Sequence, residues 1–512
     1  MTKGAESRMD GDTLLEQILR APVYDVAVET PLDPAPLLSE RLGNRVWIKR
    51  EDLQPVFSFK IRGAYNRIRR LTEAERKAGV VAASAGNHAQ GVALASSRLG
   101  VEARIVMPRT TPRIKVDAVR RLGGEAILEG DGYDEAAALA GRLREEEGRV
   151  FVHPYDDLDV IAGQGTIAME ILRQHRGTLD ALFVPVGGGG LVAGIVAYVK
   201  RISPNTRVIG VEPEDAACLA AALAAGDRVD VGPVGLFADG VAVRQVGERP
   251  WEVVRGSIDE VVTVGIDEIC AAIRDVFDDT RSIAEPAGAL AIAGLKRWVA
   301  REDVRGATLV AIDSGANMNF DRLRHVAERA EIGEEREALL AVTIPERPGA
   351  FRALCRGLGA HGVTEFNYRY GEASAAHVFV GVALSGGASE RETVMDGLRR
   401  EGFEVVDMTG NELAKLHVRF MVGGRASRAH ERLFRFEFPE RPGALARFLD
   451  AVGGRWNISL FHYRNHGAAF GRVLAGLEVP PEASDELDRF LEELGYVWVE
   501  ETGNAAAGLF LG

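Results

Sequence analysis

From about Val80 to Asp313, short apolar runs alternate with longer segments in which apolar residues recur at helical spacing. Three pairs follow one another: VVAAS with HAQGVALASSRLG, ARIVMP with PRIKVDAVRRLGG, and EAILEG with YDEAAALAGRLREEE. Further strand-like runs are RVFVHP, ALFVPV, RVIGVEP and ATLVAID. Such alternation predicts parallel sheets covered by helices. The number of these strands exceeds that of one sheet of ordinary size. We therefore predict two α/β lobes with a ligand cleft between them.

The pattern changes after a charged, weakly apolar segment, AERAEIGEEREAL, at 327–339. The sequence PERPGA occurs twice, 94 positions apart, and each copy precedes a helix-like segment and an aromatic strand. This duplication predicts two small β-α-β modules that pack together. We therefore expect an α/β domain at 1–325 with its smaller lobe at about 55–157, an exposed linker at 326–338, and α+β modules at 339–415 and 432–512.

Composition narrows the classes of function. The net charge is −13, so no basic field indicates nucleic acid or an acidic membrane as partner. The three cysteines, Cys218, Cys270 and Cys355, are too few and too scattered for a disulfide framework or a thiolate metal site. The N-terminal segment lacks the apolar core of a signal peptide and carries acidic residues that transit peptides avoid. We therefore expect a cytoplasmic protein that acts on a small molecule.

The stretch FSFKIRGAY at 57–65 sets Lys60 in an apolar run. One explanation is that the side chain extends its ammonium to water from the start of a helix. The other is that the amine is desolvated, has a lowered pKa and forms a Schiff base with a carbonyl cofactor. Lys60 alone does not distinguish these two explanations, but the other motifs of the chain bear on them.

Three other motifs follow predicted strands. Gly187–Gly190 lie between ALFVPV and a helix, where backbone N–H groups suit a phosphate, although a flexible turn is the alternative. The motif SAGNHAQG offers Ser84, Asn87 and the N–H groups of a turn to an anion or a ring oxygen, although Asn87 and His88 equally suit helix capping. Ser314 in DSGAN either points into the cleft or caps a turn.

These four sites together fit one ligand with a carbonyl, a phosphate, a ring oxygen and a ring heteroatom. Pyridoxal phosphate has all four groups. In this interpretation Lys60 bonds to the aldehyde of the cofactor and Gly187–Gly190 bind its phosphate. Asn87 contacts its hydroxyl oxygen, and Ser314 contacts its pyridine nitrogen.

In content and order, the motifs SFKIRGA, SAGNHAQG, GGGGL, FADGVAV, EPAGA and SGAN resemble those of fold-type-II pyridoxal-phosphate enzymes, and within them the biosynthetic threonine deaminases. The resemblance spans essentially the whole chain, including the duplicated half. The cofactor-binding residues that it implies are Phe59, Lys60, Asn87, Gly187, Gly188, Gly189, Gly190, Leu191 and Ser314. It implies Lys60 and Ser84 as catalytic residues, and a clamp for the substrate carboxylate formed by Ser84, Ala85, Gly86, Asn87 and His88.

The activity implied is β-elimination on L-threonine, with L-serine as a further possible substrate, to give 2-oxobutanoate and ammonia on the way to isoleucine. The substrate amine displaces Lys60, and the freed lysine amine then removes the α-proton as a general base. A serine at the ring nitrogen, in place of an aspartate, leaves that nitrogen uncharged and favours elimination over transamination.

Related serine racemases and some dehydratases bind a cation near a motif resembling EPEDAAC at 212–218. Here Ala217 stands where a second acidic ligand would be convenient, so we predict no metal. Glu212 and Asp215 are then expected to be solvated charges at the end of a strand.

The duplicated modules contain no nucleophile, no clustered acid-base residues and no metal-ligand spacing, so they suit a sensor better than a catalyst. They resemble the ACT-like regulatory domains of biosynthetic threonine deaminases, which implies inhibition by isoleucine, relief by valine and a homotetramer. Candidate effector residues are Tyr368, Arg369, Tyr463 and Arg464. Aromatic core packing of the tyrosines and a dimerisation role for both modules are the alternatives.

Two other functions remain open at this point. A serine dehydratase, a serine racemase or a threonine synthase shares the fold, although the C-terminal pair argues against the short serine enzymes. A catalytically inactive amino-acid sensor is the second alternative. The joint presence of Lys60, Asn87, the four glycines and Ser314 argues against it.

Overall fold

A computed structural model describes residues 11–345, 350–359, 361–372, 375–420, 430–439, 456–464 and 470–511. These residues form two compact units, the first ending at Ala330 and the second beginning at Glu331. Within the described ranges, no helix combines the length and the apolar character that crossing a membrane requires. The first ten residues, on which part of the cytoplasmic expectation rests, lie outside the described part.

The first unit alternates strands and helices, as the sequence predicts. Its strands are β1 (Leu32–Pro34), β2 (Arg45–Arg50), β3 (Val80–Ala83), β4 (Ala103–Met107), β5 (Glu125–Leu128), β6 (Val150–Phe151), β7 (Ala181–Pro185), β8 (Arg207–Pro213), β9 (Glu260–Val264) and β10 (Thr308–Asp313). Its helices are α1 (Gly11–Leu19), α2 (Pro36–Leu42), α3 (Lys60–Arg69), α4 (Glu73–Ala78), α5 (Asn87–Leu99), α6 (Arg113–Arg121), α7 (Tyr133–Glu147), α8 (Leu158–Gln174), α9 (Gly190–Ile202), α10 (Cys218–Ala225), α11 (Glu248–Val254), α12 (Ile266–Thr280), α13 (Pro286–Glu302) and α14 (Arg322–Gly333).

Two sheets confirm the expected pair of lobes. The large lobe contains a six-stranded sheet in the order β1-β2-β10-β7-β8-β9, parallel except for the pairing of β1 with β2. The small lobe contains a parallel four-stranded sheet in the order β5-β4-β3-β6. Alternate residues of β10 belong to different hydrophobic clusters, Leu309 and Ala311 to one and Val310 and Ile312 to the other. Apolar side chains therefore cover both faces of the large sheet.

Local sequence explains where individual helices begin. Thr72 caps α4 through a reciprocal capping box with Glu75. The Asp157 side chain accepts hydrogen bonds from two backbone N–H groups in the first turn of α8. Helices α5 and α9 each follow a buried parallel strand after a short turn, at the strand ends where ligands of open α/β sheets bind.

The second unit contains two four-stranded antiparallel sheets. Their orders are β12-β13-β11-β14 and β16-β17-β15-β18, formed by β11 (Glu337–Pro345), β12 (Val363–Glu372), β13 (Ala375–Ala383), β14 (Glu404–Asp407), β15 (Glu431–Pro439), β16 (Asn457–Arg464), β17 (Phe470–Glu478) and β18 (Val497–Glu500). The helices are α15 (Ala350–Gly357), α16 (Gly387–Arg400), α17 (Glu412–Leu416), Ser484–Leu494 and Ala505–Phe510. Each module thus extends the predicted β-α-β unit by further strands.

The strand register reproduces the internal duplication. Equivalent pairs are Tyr368 with Val378 and Tyr463 with Val473, then Arg369 with His377 and Arg464 with Arg472. Each copy also has a β-bulge near the start of this strand. Leu339 and Phe379 of the first copy share a hydrophobic cluster with Leu433 and Leu474 of the second. The two modules therefore pack together, as the sequence predicts.

Two expectations about charged segments differ from the structure. Glu212 is fully buried, and its carboxylate accepts hydrogen bonds from the backbone N–H groups of Leu219 and Ala220 at the start of α10. The prediction of a solvated Glu212 was wrong, because a helix N-terminus supplies the donors that water would otherwise supply. In the charged segment at 327–339, Arg329 and Ala330 are buried rather than exposed.

Candidate active site

Lys60 is the first residue of α3. Nζ donates a hydrogen bond of 3.0 Å to the Pro154 carbonyl and lies 5.1 Å from the centroid of the Phe59 ring. Burial lowers the pKa of the Lys60 amine to about 8, although the nearby Glu285 carboxyl opposes this shift. An amine with such a pKa is available as a neutral nucleophile or base near neutral pH.

Gly187–Gly190 form the turn from β7 into α9, and the surroundings leave no room for side chains there. A Cβ on Gly188 would lie 2.3 Å from atoms of the Tyr155 ring, and one on Gly190 would lie 2.9 Å from the Tyr155 backbone. Gly189 has a φ of +91°, which glycine adopts without strain. Leu191 follows in the first turn of α9 and is buried. The turn is thus a backbone surface at the positive end of a helix.

Asn87, the first residue of α5, is fixed at both ends of its amide. Its Nδ2 donates to Glu285 Oε1 at 2.5 Å, and its Oδ1 accepts from Asn317 Nδ2 at 2.8 Å. These partners determine which end of the amide is the nitrogen. Burial raises the pKa of the Glu285 carboxyl to about 7, and the Asp239 charge adds to that shift.

The turn from Ser84 to His88 connects β3 with α5. Ser84 Oγ accepts a hydrogen bond from the Gly86 N–H at 3.2 Å, and apart from the adjacent residues no atom of the described chain lies within 4 Å of a Cβ placed on Gly86. Ala85 is half-buried between them. The His88 ring is buried, contacts the Val152 carbonyl through Nε2 at 2.8 Å, and has its pKa lowered to about 3 by burial and by Lys60. Its side chain is therefore neutral, so an anion at this turn would be held by N–H groups.

Ser314 lies directly after β10 and is buried, with Oγ donating to the Ala287 carbonyl at 3.2 Å. Its own carbonyl accepts a hydrogen bond from the Phe59 N–H at 3.2 Å. A Cβ on Gly91 of α5 would lie 3.2 Å from the Lys60 backbone. Ser314, Lys60 and the start of α5 are therefore held together by direct backbone contacts.

For the candidate effector residues the structure describes the backbone but not the side chains. Tyr368 and Arg369 lie in β12, and Tyr463 and Arg464 lie in β16. Their side chains, and most of each PERPGA copy, lie outside the part of the chain that the structure describes.

A buried ionic cluster lies two residues beyond Lys60. The Arg62 guanidinium donates to Glu51 and to Glu170, and Lys49 Nζ donates to Glu170 at 2.6 Å. All four side chains are fully buried. Sequence reasoning missed this cluster, because charged residues so far apart carry no local pattern that indicates pairing.

The sequence pattern of a family described as "Pyridoxal-phosphate dependent enzyme" matches residues 23–315. A second pattern, described as "C-terminal regulatory domain of Threonine dehydratase", matches twice, at residues 328–418 and 422–511. The double match coincides with the duplicated half of the chain.

The chain is 56% identical to the biosynthetic L-threonine dehydratase of Burkholderia multivorans over 97% of this chain and 99% of that protein. It is 54% identical to the biosynthetic L-threonine dehydratase of Escherichia coli over 98% of both chains. The chain belongs to the biosynthetic threonine dehydratase family. Members of this family carry a pyridoxal-phosphate domain and a regulatory domain, so this chain has an amino-acid substrate and binds effectors.

Solved structures resemble the catalytic half. The processed form of threonine deaminase isoform 2 from Solanum lycopersicum matches with a TM-score of 0.62 and 50% identity, covering 65% of this chain and 91% of that one. Serine racemase from Dictyostelium discoideum matches with a TM-score of 0.56 and 30% identity, covering 61% of this chain and all of that one. The catalytic fold alone therefore does not separate threonine chemistry from serine chemistry.

The residues of the site fit the pyridoxal phosphate on which this family depends. The Gly187–Gly190 turn offers N–H groups where side chains would clash, and Lys60 offers an amine with a lowered pKa. Asn87 and Ser314 add neutral hydrogen-bonding groups beside Lys60. Sequence reasoning gave no role to Glu285, Asn317 or Tyr155. The EPAGA motif around Glu285 and the SGAN motif that ends at Asn317 could have signalled two of them.

Proposed function

We propose that this protein uses pyridoxal phosphate to eliminate water from L-threonine, under feedback control by isoleucine. The enamine that leaves, aminocrotonate, is then hydrolysed by water to 2-oxobutanoate and ammonia. The observation that carries the proposal is the extent of the likeness. Identity to biosynthetic threonine dehydratases continues through the duplicated C-terminal half, whereas the match to serine racemase covers 61% of the chain.

In this proposal Lys60 holds the cofactor aldehyde, Gly187–Gly190 with Phe59 and Leu191 enclose the phosphate end, Asn87 binds the ring hydroxyl and Ser314 the ring nitrogen. When bound, the cofactor supplies an aldehyde for the substrate amine and a conjugated ring that disperses the negative charge left at Cα. Ser314 carries no charge, so it does not stabilise a protonated ring nitrogen.

Lys60 acts as the general base that takes the α-proton of the substrate. A pKa of about 8 keeps an appreciable fraction of the amine neutral at physiological pH, and proton transfer is efficient when the pKa lies near the working pH. The burial that lowers this pKa favours the neutral amine, which is the form that can accept a proton.

The turn from Ser84 to His88 holds the substrate carboxylate. The supporting features are the open space at Gly86 and the start of α5, whose N–H groups favour an anion. Among the described residues the Ser84 hydroxyl accepts a 3.2 Å hydrogen bond from the Gly86 N–H, and in this proposal its own proton is donated to the substrate. Ser84 is in this way a binding and catalytic residue.

Isoleucine is the proposed inhibitor and valine its antagonist, with Tyr368, Arg369, Tyr463 and Arg464 as the candidate contacts. The equivalent strand registers support two related effector sites. Titrating isoleucine to millimolar levels should shift the threonine saturation curve of the full-length protein, and valine should reverse the shift. An unchanged curve would refute this regulation.

The assembly, location and domain bounds belong to the same proposal. We infer a cytoplasmic homotetramer with a catalytic domain at 1–325, a linker at 326–338 and regulatory modules at 339–415 and 432–512. The support is the family membership together with the division of the chain near Ala330. Light scattering on the purified protein measures the tetramer directly, and a monomer mass would contradict it.

The test of the activity combines a visible absorption spectrum with a 2-oxo-acid assay on L-threonine. A lysine-bound cofactor band and formation of 2-oxobutanoate are expected. A band with turnover on L-serine alone would favour a serine dehydratase or racemase, the alternative that the likeness to the Dictyostelium enzyme supports. No band after addition of pyridoxal phosphate would leave an amino-acid sensor.

A further inference from the structure

The short segment Asp239–Val241 lies against two parts of the proposed cofactor site. A Cβ on Gly240 would lie 2.9 Å from the Ala287 Cβ and 3.6 Å from Glu285 Oε1. A Cβ on Gly187 would lie 2.9 Å from the Val241 Cα. The backbone of this segment therefore supports both the glycine turn and the carboxyl group that orients Asn87.

Asp239 connects this segment to the small lobe. Lys115, in the first turn of α6 between β4 and β5, donates from Nζ to Asp239 Oδ2 at 2.8 Å. The Lys115 side chain is only 12% exposed, whereas that of Asp239 is 40% exposed. Ion pairs that exclude water from one partner are screened less than pairs in open solvent.

A second cation holds the same carboxylate within the large lobe. Arg322, the first residue of α14, has Nη1 3.5 Å from Asp239 Oδ1, and its Nη2 donates to the Leu236 carbonyl at 3.1 Å. Burial alone would raise the pKa of Asp239, but Lys115 and Arg322 outweigh it and hold that pKa at about 2. The carboxylate is therefore charged throughout the neutral range.

The two lobes contribute different groups to the proposed site. Lys60, Ser84 and Asn87 belong to the small lobe, and the glycine turn and Ser314 belong to the large lobe. The proposed cofactor therefore contacts both lobes and the substrate carboxylate contacts the small lobe, so the reacting groups meet correctly only when the two lobes are held in register. A misplacement of about 1 Å costs on the order of a hundredfold in rate.

We propose that Asp239 is a positioning residue for the reaction: through Lys115 it holds the small lobe against the segment that supports the Gly187 turn. This inference rests on the proposed function for its kinetic readout. The contact itself is tested independently of turnover.

The kinetic test is a double-mutant cycle in the full-length holoenzyme, with the variants Lys115→Met, Asp239→Asn and both together. Each single change is expected to raise the KM for L-threonine about three- to fivefold. Adding Lys115→Met to Asp239→Asn should cause no further loss, because the contact is already broken. Asp239→Asn should raise the KM at least as much as Lys115→Met, because it also removes the carboxylate that pairs with Arg322.

The matched control is Asp134→Asn. Asp134 in α7 of the small lobe lies 3.6 Å from Arg244 of the large lobe, but these side chains are 82% and 50% exposed. Loss of so exposed a pair should leave the KM unchanged. An equal rise in the KM of this control would show that any charge change between the lobes has the same effect, and would overturn the specific role of Asp239.

Hydrogen-deuterium exchange supplies the readout that does not depend on activity. Lys115→Met should speed exchange in α6 and in the turn from Ser84 to Asn87, while β7 and β8 exchange as in the wild type. The proposal would be overturned if exchange in the small lobe of Lys115→Met equalled that of the wild type. It would also be overturned if the rise in KM of the double variant were the product of the two single rises. If the wild type does not turn over threonine, the proposed function fails, and the exchange result alone decides whether Asp239 holds the small lobe.

Discussion

Asn87 Nδ2 donates a 2.5 Å hydrogen bond to Oε1 of Glu285, a residue 198 positions further along the chain. The contact connects the first turn of α5 in the small lobe with the residue that precedes α13 in the large lobe. It fixes the Asn87 amide, and it brings a titratable carboxyl group close enough to influence the pKa of Lys60.

Glu285→Gln should change how activity depends on pH. The Glu285 charge raises the pKa of Lys60, so its removal lets Lys60 lose its proton at lower pH. On the acidic side of the profile, the pH at which kcat reaches half of its plateau value should fall by up to about one unit. The gain in kcat, as a fraction of the plateau value, should be largest between pH 7 and 8. Below pH 7 the two proteins should behave alike, because burial raises the pKa of Glu285 to about 7 and the carboxyl is protonated there. Glu302→Gln, an exposed change at the end of α13, is the control.

Lys60→Ala should abolish the visible absorption band of the cofactor and reduce kcat by about a thousandfold or more. The protein should stay folded, because the amine makes a hydrogen bond only to the Pro154 carbonyl among the described residues. Spectra after incubation with pyridoxal phosphate measure the first effect and circular dichroism the second. Lys77→Ala changes an exposed lysine of α4 as a control, and a Lys60 variant that keeps both band and turnover contradicts the assignment.

Gly188→Ala should weaken cofactor binding and destabilise the fold. The added methyl group would lie 2.3 Å from atoms of the Tyr155 ring, so the ring or the turn has to move. Overpacking of this kind costs about 1 to 3 kcal/mol. The matched control is Gly141→Ala within α7, where an added Cβ meets no atom of the described residues within 4 Å beyond the helix's own backbone, and there the change should stabilise the fold by about 0.5 to 1 kcal/mol. Equal cofactor affinity in the wild type and in Gly188→Ala would argue against a phosphate at this turn.

Arg62→Ala should destabilise the catalytic unit strongly. The buried guanidinium pairs with Glu51 and Glu170, and removing it takes this partner from both buried carboxylates, although Glu170 keeps its ion pair with Lys49. Breaking a buried ion pair in this way costs about 3 to 5 kcal/mol. Thermal unfolding should show a markedly lower midpoint for Arg62→Ala. Arg69→Ala, at the exposed end of the same helix, should leave the midpoint near that of the wild type.

Most of the secondary structure follows from the sequence, because period and residue type are local properties. The run YDEAAALAGRLREEE predicts a helix, and α7 spans those same residues. The run ATLVAID likewise corresponds to β10. The predicted placement of the cofactor motifs after strands also holds, since parallel strands direct the following turns to one edge of a sheet.

The sequence by itself determined the order of elements, the duplication, the family and the motifs around Lys60, Asn87, Gly187–Gly190 and Ser314. Only the tertiary structure decided that Glu285 orients Asn87, that Asp239 joins the lobes through Lys115, and that Glu212 is buried rather than solvated. These contacts join residues far apart in the chain. A charged residue has the same appearance in a sequence whether it faces water or a partner, and packing determines which of the two it meets.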